Sequence, residues 1–150
     1  MSDLRDLYQD VVLDHGRNPR NFRTMDQATA KVVGHNPLCG DKLVLYLKLE
    51  GDVVKDVSFE GAGCAISMAS ASLLSETTVG KTRAEIEETF AHFHEMLTGG
   101  VEHTVDTGAL GKLAVFQGVC EYPTRVKCAS LSWHTMKAAL QGGEESITTE

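Results

Sequence analysis

The sequence predicts an α+β fold: a small three-stranded antiparallel sheet with helices packed against it. Three patterns carry this expectation. Leu43, Leu45, Leu47 and Leu49 alternate with Val44, Tyr46, Lys48 and Glu50, the period-two signature of a strand with one buried face. After the tight turn Glu50-Gly51-Asp52, Val53, Val57 and Phe59 resume the alternation with Lys55 as an exception, so the two runs form a hairpin. Before and after the hairpin, apolar residues recur at helical spacing instead.

Leu4, Leu7, Tyr8, Val11 and Val12 mark an amphipathic first helix that stops before His15-Gly16-Arg17-Asn18-Pro19, where glycine and proline interrupt the pattern. Ala30 to His35 reads as a short strand, the third of the sheet. Gly61-Ala62-Gly63 leads out of the hairpin into a helix over Ala65 to Leu74. Thr82 and Glu85 form a capping box for a helix that buries Ile86, Phe90, Phe93 and Leu97 and ends at Gly99-Gly100. A short helix follows from Ala109 to Val119. Tyr122-Pro123 opens the last one, with Val126, Ala129, Trp133, Met136 and Leu140 inward and Gly142-Gly143 as its stop. Residues 1–143 thus form one domain, and 144–150 a polar tail expected to be disordered. A chain of 150 residues buries roughly 70% of its unfolded surface and folds without staples.

A net charge of -7 and a pI near 5.3 oppose binding to nucleic acid or an anionic membrane, which needs clustered Lys and Arg. A protein partner or a small ion is expected instead. The charged first twenty residues contain no signal-peptide core, and no apolar run approaches ~18 residues, so the expected location is cytoplasmic. In that compartment Cys39, Cys64, Cys120 and Cys128 are thiols or metal ligands rather than disulfides.

Three of these cysteines sit in suggestive surroundings. In Asn36-Pro37-Leu38-Cys39-Gly40-Asp41 a thiol and a carboxylate flank a glycine whose backbone freedom lets both turn onto one cation; alone, the tripeptide also reads as a turn with a partly buried thiol. The hairpin supplies a geometric link. Keeping the odd-numbered apolar residues on one face puts Leu45 opposite Val57 or Phe59, and either register brings Cys39 opposite Gly63 or Ala65, within about one residue of Cys64. Cys64 precedes a helix whose unpaired N–H groups favour a thiolate; the alternative is a small buried hydrophobe after a glycine turn. Cys128 lies in the first turns of the last helix, three positions after Arg125 and on roughly the same side, where a cation lowers a thiol pKa. Cys120 has no motif about it. His92 and His94, two apart on a helix, face different sides and read as solvated, and His103 has no evident partner.

Together, Asn-Pro-Leu-Cys-Gly-Asp, Gly-Ala-Gly-Cys-Ala-Ile-Ser-Met-Ala-Ser-Ala-Ser and Arg-Val-Lys-Cys-Ala resemble the cysteine motifs of the IscU-like iron-sulfur cluster assembly family. Leu13-Asp14-His15 to Asn18-Pro19-Arg20-Asn21 is similar too, and the resemblance runs from Leu4 to about Leu140. Cluster-scaffold members carry a histidine just before the third cysteine, where this chain has Lys127, a cation that does not ligate at neutral pH. The interval from Cys64 to Cys128 is also longer. Both features resemble the SufU type.

That resemblance implies zinc held by Cys39, Asp41, Cys64 and Cys128, and a sulfur-transfer role as co-substrate and activator of a SufS-type cysteine desulfurase, serving downstream iron-sulfur assembly proteins. Cys39 would accept persulfide sulfur once a ligand from the enzyme replaces it, and Arg125 would act electrostatically near the site or the enzyme. The alternative is a scaffold for a transient [2Fe-2S] cluster on the same ligands. A structural zinc module fits poorly, since such sites gather ligands in short Cys-x2-Cys pairs.

Overall fold

The computed structural model describes residues 3–37, 40–98, 110–121, 123–141 and 146–148, without the side chains of 3–8, 117, 118, 120, 121, 123 and 146–148. The alternating leucines fall where their spacing puts them: Leu43, Leu45 and Leu47 are buried, while Lys42 and Lys48 are exposed. They lie on β2 (Asp41–Glu50), which pairs antiparallel with β1 (Ala30–Asn36) on one side and β3 (Val53–Ala62) on the other. Of the two registers the sequence allows, the chain adopts Leu45 opposite Phe59.

The exception at Lys55 has a structural cause. Lys48 pairs with Asp56 but Leu49 with Val54, so β3 carries one extra residue and Lys55 has no partner across the ladder. The bulge changes which valine turns inward: Val54 is fully buried, whereas Val53, expected to point inward, is only half-buried. Gly51, in the left-handed region at φ 63°, makes the connecting turn.

One correction concerns the C-terminus. Ser146–Thr148, expected to be disordered, form β4, a short parallel strand on β1, so the sheet order is β3-β2-β1-β4. The expected three antiparallel strands are present and the fourth is added at their edge.

Helices α2 (Ala65–Thr78) and α4 (Pro123–Gln141) pack on the face carrying Val32, Leu43, Leu45 and Phe59. Gly34 on β1 admits α4 closely, since a Cβ there would collide with the Thr135 hydroxyl. Helix α3 (Arg83–Thr98) opens with the expected capping box: Glu85 N–H donates to Thr82 Oγ1 at 3.2 Å and Thr82 N–H to Glu85 Oε1 at 3.0 Å. Trp133, fully buried, lies among Phe90 and Phe93 with ring centroids at 5.9 and 5.2 Å, a core residue as its spacing predicts. The segment Gly111–Glu121 is a 3₁₀ helix rather than an α-helix. His92 is half-buried and His94 exposed; His103, with Gly99-Gly100 and Ala109, lies outside the described residues. Among the described residues no helix is long and apolar enough to cross a membrane.

Helix α1 (Asp3–Arg17) continues past its expected stop and includes His15 and Gly16. Asn18 N–H bonds the Asp14 carbonyl at 2.8 Å, and Pro19, without an N–H, ends the run. Gly16 is where α1 touches the start of α2, since a Cβ there would lie 3.1 Å from the Ala65 carbonyl oxygen. His15 is buried against α2, with Nδ1 2.7 Å from Ser72 Oγ and Nε2 3.8 Å from Glu76. Burial, assisted by the Arg20 charge, lowers its pKa below the usual 6.5 despite the carboxylates of Glu76 and Asp14. The folded chain therefore favours the neutral form of His15 more than the unfolded chain does, in which the imidazole titrates near 6.5. Its contribution to stability is complete above that pH and falls away on acidification below it. Burial lowers the His134 pKa as well, with the same sign. Urea midpoints measured from about pH 7 down to about pH 5 should decline, and His15→Asn, which keeps a partner for Ser72, should flatten part of that decline.

Candidate metal centre

The end of the sheet that carries Asn36 and Asp41 meets the starts of α2 and α4. Asn36 ends β1 and pairs directly across with Asp41, the first residue of β2. Gly40 adopts φ 73°, the left-handed conformation expected of it. Asp41 is fully buried, its Oδ1 accepting the backbone N–H of Cys64 at 2.9 Å. Its other oxygen, Oδ2, is buried and has no hydrogen-bond partner among the described residues. A buried carboxylate oxygen left in that condition is costly unless a cation or proton meets it.

Cys64 is the N-cap of α2, and its Sγ accepts the Ser67 N–H at 3.4 Å. Cys128, one turn into α4 and buried, directs Sγ toward the Thr124 carbonyl at 3.6 Å and receives the Asn36 side-chain amide at 3.9 Å. Ser70 Oγ donates to the Ala129 carbonyl at 2.5 Å and so ties α2 to α4 beside this cysteine.

The ligand atoms of Asp41, Cys64 and Cys128 all lie within 4.8 Å of one another. Tetrahedral zinc, with bonds of about 2.3 Å to sulfur and 2.0 Å to oxygen, needs donors roughly 3.5 to 3.8 Å apart, so the set closes on an ion with shifts of about an ångström. Two thiols and an orphaned carboxylate oxygen fit such an ion. The family resemblance implies a ligand set that includes Asp41, Cys64 and Cys128, and the structure brings these three together. Cys39 lies outside the described residues, as does the side chain of Cys120. Arg125 is exposed one turn before Cys128 and forms no ion pair among the described residues. The sequence reading gave Asn36 no role. The available signal was its place in the alternation Val32, Gly34, Asn36, a polar side chain at an inward position.

A hairpin whose base supplies a carboxylate, set between two helices that each present a thiol near their first turn, defines the class to which the comparisons also point. The profile described as "NifU-like N terminal domain" matches residues 7–129, and the chain belongs to that family. It is 40% identical over 136 residues to the zinc-dependent sulfurtransferase SufU of Bacillus subtilis, covering 91% of this chain and 90% of that protein. It is 41% identical over 136 residues to the iron-sulfur cluster assembly scaffold protein IscU of Thermotoga maritima, covering 90% and 93%. Among solved structures, a candidate SUF-system scaffold from Fervidobacterium islandicum AW-1 superposes with a TM-score of 0.83 at 35% identity, over 91% of this chain and 98% of that one. A NifU-like N-terminal protein from Brucella abortus, at 23% identity and a TM-score of 0.82 over 92% and 94%, shares the fold. The resemblance read from the cysteine motifs is borne out.

Gly63 gives the centre a test that removes no ligand. A Cβ on this residue would lie 2.6 Å from Asp41 Oδ1 and 3.2 Å from Asp41 Cβ, closer than the pinned carboxylate tolerates. Gly63→Ala should therefore displace Asp41 from Cys64 N–H and weaken zinc binding about tenfold or more in chelator competition, with the far-ultraviolet spectrum unchanged.

Proposed function

We infer that this protein is a zinc-dependent sulfur-transfer protein, in the cytoplasm, that accepts persulfide sulfur from a SufS-type cysteine desulfurase and passes it to iron-sulfur assembly. The observation that carries this reading is the convergence of Asp41, Cys64 and Cys128, with Asp41 two positions after Cys39 in the chain. Zinc bound there is redox-silent and keeps its thiol ligands deprotonated. Asp41, committed through one oxygen to Cys64 N–H, offers a single oxygen as a hard, weak donor, which suits a ligand set that must rearrange. Cys39 is the acceptor: its thiolate attacks the terminal sulfur of the enzyme's persulfide, a new sulfur-sulfur bond forms at Cys39, and the enzyme's cysteine leaves as thiolate. Arg125, exposed beside the entrance to α4, faces the desulfurase and acts electrostatically there.

The same donors hold a [2Fe-2S] cluster in the second reading, favoured by the 41% identity to a protein named as a scaffold. Half-buried Lys127 occupies the position where the cluster-scaffold type places a histidine ligand, and this supports sulfur transfer over it.

Metal analysis of protein purified anaerobically, paired with sulfide release by a SufS-type desulfurase, separates the two. Sulfur transfer predicts about one zinc per chain and a strong stimulation that disappears on zinc removal, is not restored by iron and is abolished in Cys39→Ala. Iron with acid-labile sulfide and little stimulation would establish the scaffold instead.

A further inference from the structure

Along the inward face of the first two strands, Val32, Gly34, Leu43, Leu45 and Leu47 are apolar or glycine. Asn36 and Asp41 are the two polar members, and they stand opposite each other at the end where the thiols gather. Asn36 has no exposed surface. A carboxamide in that position is costly unless hydrogen-bonded, so its place calls for a partner. The structure gives it one on a distant element: Nδ2 lies 3.9 Å from Cys128 Sγ, across 92 residues of chain, a distance at the long end of what the large sulfur atom accepts.

We propose that Asn36 is a positioning residue of the metal centre, donating a side-chain N–H to the sulfur of Cys128 and holding that thiolate as a fixed ligand. The inference rests on the metal-centre reading above. Cys128 Sγ lies 3.6 Å from the Thr124 carbonyl, a contact that an S–H donor makes. Bound to a cation, the sulfur has no proton, the bond to Thr124 is lost, and that carbonyl becomes an unfavourable neighbour. A donor then holds the sulfur better than an acceptor, and Asn36 presents one from the strand side, the side of Asp41. The amide orientation with nitrogen toward sulfur is the one a thiolate favours, since the carbonyl end would repel it. Cys64 is served in the same way by Ser67 N–H. Both described thiolates therefore receive N–H donors, which draw charge from sulfur and make it a steadier, less nucleophilic ligand, leaving sulfur acceptance to Cys39.

The test uses the full chain loaded with cadmium-113 in place of zinc and labelled with nitrogen-15. A cadmium resonance in the thiolate-rich range, lost in Cys64→Ala, establishes the centre itself. A scalar coupling between that nucleus and the Asn36 side-chain amide proton, transmitted through N–H···S, is the expected result. Asn36→Leu, similar in volume but without a donor, should then bind zinc about tenfold more weakly and shift the thiolate-to-cobalt absorption of the cobalt form to lower energy. In a Cys128→Ala background the same substitution should change affinity no further. Cadmium bound at the thiolates without coupling to Asn36, or an Asn36→Leu loss that adds in full to that of Cys128→Ala, would overturn the role of Asn36 while leaving the centre intact. Absence of the thiolate-type resonance would overturn the centre and the inference together. Should Asn36→Leu fail to fold, the coupling in the unsubstituted protein decides.

Discussion

The hydrogen bond from Cys64 N–H to Asp41 Oδ1 is the constraint around which the site end of the molecule is built. It joins the first residue of β2 to the residue that caps α2, fixing how the helix leaves the sheet. By occupying one carboxylate oxygen it also decides which one remains to meet a cation. Gly63 is required for the bond to form, because any side chain there would enter the space of the carboxylate. Sheet exit, helix start and ligand orientation thus depend on one contact of 2.9 Å.

The sequence disclosed most of the fold because its patterns are clean where one face is buried. The leucines of β2 alternate, and keeping them on one face leaves two registers, of which the structure takes Leu45 opposite Phe59. What stayed hidden was of two kinds. A bulge adds one residue to β3 and transfers burial from Val53 to Val54, which no alternation rule registers until the partner strand is known. The short β4 has little apolar pattern of its own and is held by pairing with β1, a tertiary effect that its polar sequence does not announce. The end of α1 was misjudged for a related reason: Gly16 signals a break locally but serves the approach to Ala65.

The candidate centre was legible in its members and not in its supports. Cysteine and aspartate mark themselves by type, and the hairpin register explains why Asp41 meets Cys64, whereas Cys128, on α4, joins the set through the family motif. The groups that orient them do not mark themselves. Asn36 reaches a helix 92 residues later, and the backbone N–H groups of Cys64 and Ser67 have no side-chain identity to notice. Such supports are a property of the assembled fold and appear only when strand ends and helix starts are placed together.

Both margins of the sheet are partly occupied by the chain itself. Along β3, Phe59 exchanges backbone bonds with Asn21 and Arg23, and Val54 with Gly80 and Lys81; along β1, β4 pairs with Val33, Gly34 and His35. At these positions, among the described residues, the backbone is closed to a foreign strand, and strand addition is a common route by which sheets polymerise or recruit extended peptides. Recognition through these stretches of the sheet would therefore fall to side chains rather than to main-chain pairing.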